Sequence, residues 1–343
     1  MPETAPKPPS VPSRSGLVRT IAFMNQKGGV GKTTTTVNLA AGVAALGRSA
    51  LVIDLDPQAH ASIHLGVDAQ SAEAHPGQAR SVYDLLLDPT LDAMPAIRSV
   101  NGHLSVLPAE TDLAALETEL SAIDPAERTT RLRTVIERLR DRFEFIFIDC
   151  PPSLGVLTLN GLAAAREVFI PMQAHFLALQ GVSKLLETVG LVGKSVNPRL
   201  RVTGVILCMH DPSSTHSREV VEDLTEFFES TRRGGQDVPW STARVLQPAV
   251  RRNIKLAECP SFGKSIFDYA PFCPGSLDYK ALAEKVVGEW DALLARRATE
   301  PASAPASAER FSPPRAPAPV ANPQPVVKAR RPAKSDQRAE AGA

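Results

Sequence analysis

Two lysines, Lys27 and Lys32, stand at the ends of a glycine-rich stretch that reads NQKGGVGKTTTT over residues 25–36. A phosphate-binding loop follows the pattern G-x-x-x-x-G-K-[ST]. Gly31, Lys32 and Thr33 complete that pattern, but its first glycine falls on Gln26, with the extra lysine beside it. Gly28, Gly29 and Gly31 let a backbone wrap closely around phosphates with its N–H groups turned inward. A helix starting near Lys32 would add its positive N-terminal end. Lys32 would neutralise β- and γ-phosphate oxygens, and the Thr33 hydroxyl would ligate Mg²⁺. The candidate nucleotide-binding residues of the loop are thus Gly28, Gly29, Val30, Gly31, Lys32, Thr33 and Thr34. A plain glycine turn is the competing reading, and the G-K-T ending between a strand and a helix outweighs it.

Three acids fall at the ends of apolar runs. LVIDLDPQ carries Asp54 and Asp56, and with a strand period of two both would point to one side of a sheet. FIFIDCPP carries Asp149 behind four apolar residues. A single such acid is as often the cap of a following turn. Three of them in a chain with a phosphate loop favour a Mg²⁺-nucleotide site.

The elements that must carry these residues alternate. Strands are expected at residues 20–25, 49–56, 103–108, 145–149, 167–172, 202–209 and 242–246. Helices are expected from Lys32 to Gly47 and over 131–140, 179–196, 218–230 and 277–297. Apolar strands without alternation, each followed by a helix, imply an α/β fold with a mostly parallel twisted sheet flanked by helices on both faces. In such sheets ligands bind at the carboxyl ends of the strands, where these motifs fall.

KGGVGKTT, DLDPQ, FIFIDCPP and RRNIKLAECPSFGKSI together resemble the ParA/Soj partition ATPases, relatives of MinD in the deviant Walker A class of P-loop NTPases. The likeness covers nearly all of residues 17–297. It implies that Lys27 is a signature lysine reaching across an ATP-bound homodimer to the partner's nucleotide, while Lys32 acts within its own chain. It implies that Asp54 organises the Mg²⁺ shell, that Asp56 orients or activates the attacking water, and that Asp149 holds the metal's waters. Pro151 and Pro152 would lie in a switch that senses the γ-phosphate, and Pro260 would border the nucleotide. The chemistry agrees, because phosphoryl transfer is catalysed mainly by positioning and charge neutralisation.

The resemblance also implies non-specific DNA binding through Arg251, Arg252 and Lys255, which two-fold symmetry would double. A solvated charge cluster is the alternative. Where the family has Ile-Pro-Arg-Asn this chain has Val250-Arg251-Arg252-Asn253, so a proline near the adenine is missing or moved. The loop over residues 210–218 is also unlike the family's, with Arg218 as the substitute for its early arginine.

Composition bounds the rest. Net charge is +1 and 43% of residues are hydrophobic. Residues 300–343 hold seven Lys/Arg against four Asp/Glu and nine prolines, and residues 1–16 hold five prolines. Such segments cannot bury enough apolar surface to offset chain entropy. The expected organisation is a disordered extension over 1–16, an ATPase domain over 17–297 and a disordered basic tail over 298–343. Cys150, Cys208, Cys259 and Cys273 show no paired spacing and read as packed thiols of a cytoplasmic protein. His60 and His64 lack the remaining ligands of a zinc site and read as solvated or capping histidines.

The functional expectation is an ATP-driven positioning switch, nucleoid-associated, whose ParB-like or adaptor partner stimulates hydrolysis and release. Its cargo would be a chromosome, a plasmid or a protein assembly such as an organelle or chemoreceptor cluster. A MinD-like membrane positioner would need a basic amphipathic C-terminal helix. A metabolic ATP-dependent enzyme on the same scaffold is the third reading.

Overall fold

The computed structural model describes residues 17–68, 78–211, 213–235 and 237–299. The expected extension over 1–16 lies outside them, as does the expected tail except for Ala298 and Thr299, which finish the last helix.

Eight strands form one sheet: β1 (Arg19–Phe23), β2 (Ala50–Asp54), β3 (Arg98–Ser99), β4 (Leu104–Leu107), β5 (Phe145–Asp149), β6 (Glu167–Met172), β7 (Arg201–Leu207) and β8 (Arg244–Leu246). Their order is β3-β4-β2-β5-β1-β6-β7-β8. Every pairing is parallel except β3 with β4. β1, β2, β4 and β5 are buried along their whole length, which is why their apolar residues do not alternate with exposed polar ones.

Helices cover both faces. On one face lie α1 (Lys32–Ala45) and α12 (Pro274–Thr299), whose Val37, Leu39, Tyr279, Leu282 and Trp290 share a core with Phe23 and Phe147. On the other lie α6 (Arg131–Leu139), α7 (Val156–Ala164), α8 (Phe176–Ser195) and α9 (Thr215–Arg233), which pack on Ile146, Ile148 and Val205. Short helices fill the connections: α2 (His60–His64), α3 (Val82–Leu87), α4 (Leu116–Glu119), α5 (Pro125–Arg128), α10 (Ile254–Glu258) and α11 (Ile266–Tyr269).

α7 escapes sequence periodicity because it is buried nearly all round, so no polar face marks it. It lies close on the sheet through Gly161, where a Cβ would stand 2.8 Å from Cys150 Sγ. β3 is too short, at two residues, to show a pattern. Several strands also stop earlier than expected. β1 ends at Phe23, so Asn25 joins the loop, where its Nδ2 donates to the Pro171 carbonyl at 2.8 Å. β7 ends at Leu207, and Met209 beyond it has a left-handed φ of 50°.

The sheet order places the three acid-bearing or loop-bearing strands side by side. β5 pairs β1 with Asp149 opposite Phe23, and pairs β2 with Asp149 opposite Asp54. The phosphate loop therefore leaves β1 next to both carboxylates, at the point where successive connections diverge to opposite sides of β1.

Candidate nucleotide-binding site

Gly29 and Gly31 take left-handed φ values of 72° and 92°, which a residue with a Cβ resists. Gly31 is tight as well, since a Cβ there would come within 3.2 Å of Cys208 Cβ. The turn they make delivers the chain to α1, which starts at Lys32 with Gly31 as its N-cap. The loop is pinned from β6's end by Gln173, whose Nε2 donates to the Gly29 carbonyl at 3.1 Å. Val30 is buried beneath it, whereas Gly28 and Gly29 are exposed and nothing lies within 4 Å of where their Cβ atoms would be.

Asp149 is the hub. It is fully buried and gathers three donors from the first turn of α1. Lys32 Nζ lies 3.3 Å from its Oδ1, Thr33 Oγ1 donates to Oδ2 at 2.7 Å, and Thr36 Oγ1 donates to Oδ1 at 3.0 Å. Burial works to lower the Lys32 pKa, but the Asp149 charge, followed by that of Asp56, holds it above its ordinary value. Lys32 is a fixed ammonium at one wall of the site. Thr36 went unnoticed in the sequence, although its place three residues after Thr33 in a helix marks it.

Asp54 behaves differently from Asp56. β2 ends at Asp54, so the alternation that would place both on one side does not extend to Asp56. Asp54 turns into the protein: its Oδ2 accepts from the Ser62 N–H at 2.9 Å and hydroxyl at 2.8 Å, and its Oδ1 from the Asp56 N–H at 3.1 Å. Burial first, and the neighbouring Asp149 charge second, push its pKa up to about 7 against these hydrogen bonds. Asp54 thus shapes the 55–62 turn, and Asp56 lines the cavity, its Oδ1 accepting from the Gln58 N–H at 3.1 Å.

Lys27 is exposed at the open end of the loop, its backbone N–H held by Asn25 Oδ1 at 3.0 Å. Its Nζ stands 2.7 Å from His175 Nε2, a neighbour the sequence did not point to. Unlike the buried Lys32, it is exposed.

The loop opens onto a cavity of about 610 Å³. Lys27, Gly28, Gly29, Gly31, Lys32, Thr33, Thr34, Asp56 and Pro152 line its phosphate end, and Asn253, Leu256, Ala257 and Pro260 its far end. An apolar shelf beside polar groups of this kind suits a purine base. Cys150 lies behind the site as a fully buried thiol, pushed up to about 12 by burial, and does no chemistry there.

The oxygen donors of Thr33 and Asp149 suit a hard divalent cation such as Mg²⁺, while Asp54, expected to join them, is turned to Ser62 instead. Among the described residues no group of three or more His, Cys, Asp or Glu could hold a metal alone. Mg²⁺ retains waters and leans on substrate phosphates.

The basic segment divides. Arg251 is engaged rather than free: its guanidinium makes a two-pronged contact with Asp278, at 2.7 and 3.0 Å, and its N–H donates to the same carboxylate at 3.0 Å. Lys255 pairs with Glu258 at 2.8 Å and lies 5.6 Å from the Tyr269 ring centre. Arg252 is exposed and has no ion pair among the described residues. Of the three expected DNA contacts it alone keeps its charge unmatched. Its loop meets His210, whose N–H donates to the Val250 carbonyl at 2.9 Å. Arg218, expected in a loop over 210–218, is instead exposed on α9, which begins at Thr215.

His64 departs from its expectation as a solvated or capping residue. It is 1% exposed, with Nε2 3.4 Å from Cys259 Sγ, and burial pushes its pKa down to about 4. A five-residue helix turns it inward while leaving His60 exposed.

A sequence profile described as an AAA domain matches residues 18–202. The chain is 38% identical over 274 residues to the chromosome partitioning protein ParA of Caulobacter vibrioides, covering 79% of this chain and 94% of that protein. It is 42% identical over 272 residues to the chromosome-partitioning ATPase Soj of Thermus thermophilus, covering 79% and 96%. Among solved structures, cobyrinic acid a,c-diamide synthase of Mycobacterium smegmatis, with bound ATP analogue and magnesium, aligns with a TM-score of 0.64 at 32% identity over 80% of this chain and 97% of that one.

Proposed function

This chain belongs to the ParA/Soj family of partitioning ATPases, and from that premise we propose that it couples ATP hydrolysis to a dimer that grips and releases DNA. The observation that carries the reading is the convergence of Lys32, Thr33 and Thr36 on the buried Asp149 at the mouth of the phosphate loop.

Thr33 and Asp149 would hold the cation's side of the site, with Asp54 fixing the turn that presents Asp56. Mg²⁺, when bound, neutralises charge on the phosphate oxygens during transfer. Lys32 holds the phosphate chain from within the protomer, and Asp56 orients the attacking water and draws off its proton. The exposed Lys27 completes the partner's site, which makes turnover conditional on pairing. Pro260, with Leu256 and Ala257, borders the base.

Arg252, doubled by two-fold symmetry and joined by Arg218, supplies the sequence-independent DNA contact. A ParB-like or adaptor protein stimulates hydrolysis, and residues 17–297 act as the ATPase domain between two extensions. No described helix is long and apolar enough to cross a membrane. The working place is the cytoplasm, on the nucleoid.

The test is light scattering of the full chain with and without ATP and Mg²⁺. Wild type is expected to pass from monomer to dimer, and Lys27→Ala to bind nucleotide yet stay monomeric. Dimerisation of Lys27→Ala indistinguishable from wild type would sink the trans-lysine mechanism.

A further inference from the structure

The edge of the sheet opposite the phosphate loop carries a second cavity, of about 400 Å³. β1, β6, β7 and β8 are consecutive and parallel in the sheet, so their N-terminal ends form one continuous rim. Six arginines and only two glutamates line it.

The two glutamates are already committed. Glu167 takes both prongs of the buried Arg19 guanidinium, at 2.7 and 2.8 Å, and accepts from the Thr203 hydroxyl at 2.8 Å. Glu289 is shared by Arg19 and Arg244. Arg166, Arg199, Arg201 and Arg297 remain without a carboxylate partner among the described residues. Arg201 reaches only the carbonyls of Pro198 and Leu200. Burial first, and the Arg199 and Arg297 cations next, hold the Arg166 guanidinium below its usual range. Cations gathered this way repel one another, and a multivalent anion would relieve that repulsion.

We propose that this rim cavity is a second anion site, built for a small ligand carrying two or more linked phosphate groups. Guanidinium forks match phosphate oxygens two at a time, and four unmatched arginines call for more charge than a single carboxylate brings. The wall formed by Leu17, Val18, Trp290 and Leu293 offers an apolar face to an organic body. A cavity of this size lies in the range of small-molecule sites, whereas a DNA duplex, being convex, would meet only its lip. The site is on the far side of the sheet from the nucleotide cavity and shares no lining residue with it. A ligand there would act on the fold through α12, which lines this cavity with Trp290 and the nucleotide cavity with Tyr279.

Calorimetric titration of the full chain with inorganic tripolyphosphate tests the site. Binding there should survive Lys32→Ala, which disables the phosphate loop, and weaken about tenfold or more in Arg166→Ala/Arg199→Ala. The paired change Arg166→Lys/Arg199→Lys, which keeps charge but not the fork, should weaken it less. Neither side chain lines the nucleotide cavity, and basal ATP turnover should be unchanged in the double variants. Binding abolished by Lys32→Ala and untouched by the arginine changes would overturn the proposal, as would no binding at all. Loss of duplex DNA retention in the alanine double variant, with tripolyphosphate binding unaltered, would also overturn it and assign the rim to nucleic acid.

Discussion

Thr33 Oγ1 donates to Asp149 Oδ2 at 2.7 Å, joining the first turn of the loop helix to the tip of the neighbouring strand. The same carboxylate takes Lys32 and Thr36, so one side chain sets the position of the loop's cation and its hydroxyl together. Asp149→Asn keeps the shape but weakens all three contacts. We expect ATP turnover to fall by about a hundredfold, as loss of a preorganised charge in a dry site commonly does, with the fold retained by circular dichroism.

Asp56 differs from Asp54 in what its replacement should do. Asp56→Ala removes the cavity-facing carboxylate and leaves the Asp54–Ser62 contacts in place. Hydrolysis should drop by about two orders of magnitude or more while ATP-bound dimer accumulates, as read by phosphate release and light scattering. Unchanged turnover would remove Asp56 from the water-handling role.

Arg251 and Arg252 should separate. Arg252→Ala is expected to weaken DNA retention and, in a dimer presenting it twice, to lower the salt slope of binding by about two. Arg251→Ala breaks the tie from the 250–253 loop to Asp278 on α12. Its effect should be a lower thermal midpoint, with the salt slope of DNA binding unmoved. A reversed pattern would place the DNA contact on Arg251.

His64 gives the domain an acid lability of its own. Its folded pKa of about 4 lies below the 6.5 of an unperturbed histidine, so the unfolded chain binds the extra proton between those values. The stabilisation from keeping it neutral is full above pH ~6.5 and is lost as the pH falls towards ~4, a total of about 3 kcal/mol. Asp54 works in the opposite sense, since its raised pKa favours the fold at low pH and the advantage is lost as pH rises through about 7. The measurement is therefore the difference between wild type and His64→Gln in urea unfolding at pH 7 and pH 4.5. Wild type should lose more stability than the variant on acidification, and equal losses would refute the assignment.

Gly161→Ala tests the seat of α7 on the sheet. The added methyl would stand 2.8 Å from Cys150 Sγ and 3.2 Å from Leu55 Cδ1, both in the buried core. A cost of about 1–3 kcal/mol is expected in denaturant unfolding. Because Leu55 and Cys150 each follow a site aspartate, nucleotide affinity should fall with it.

Much of the site was written in local sequence. The G-K-T ending, the acids behind apolar runs and the strand–helix alternation are each short-range patterns with a direct physical cause: dense backbone N–H groups, strand tips and sheets buried on two faces. These were enough for the fold class, and they pointed to Lys32, Thr33 and Asp149, which the fold brings into contact. Which charge is free to act was not legible, because it depends on partners far along the chain. Arg251 and Arg252 are neighbours of one kind, yet Asp278, 27 residues on, takes up the first and leaves the second exposed. His60 and His64 look equivalent until packing buries one against Cys259. Asp54 and Asp56 part company because β2 stops between them. The arginine rim is the strongest case: its four unmatched members come from the loops before β6 and β7, the first residue of β7 and the end of α12. Sequence determined which chemistry this chain could host; only the strand order, by bringing distant ends to one edge, decided which charges meet and which stay unmatched.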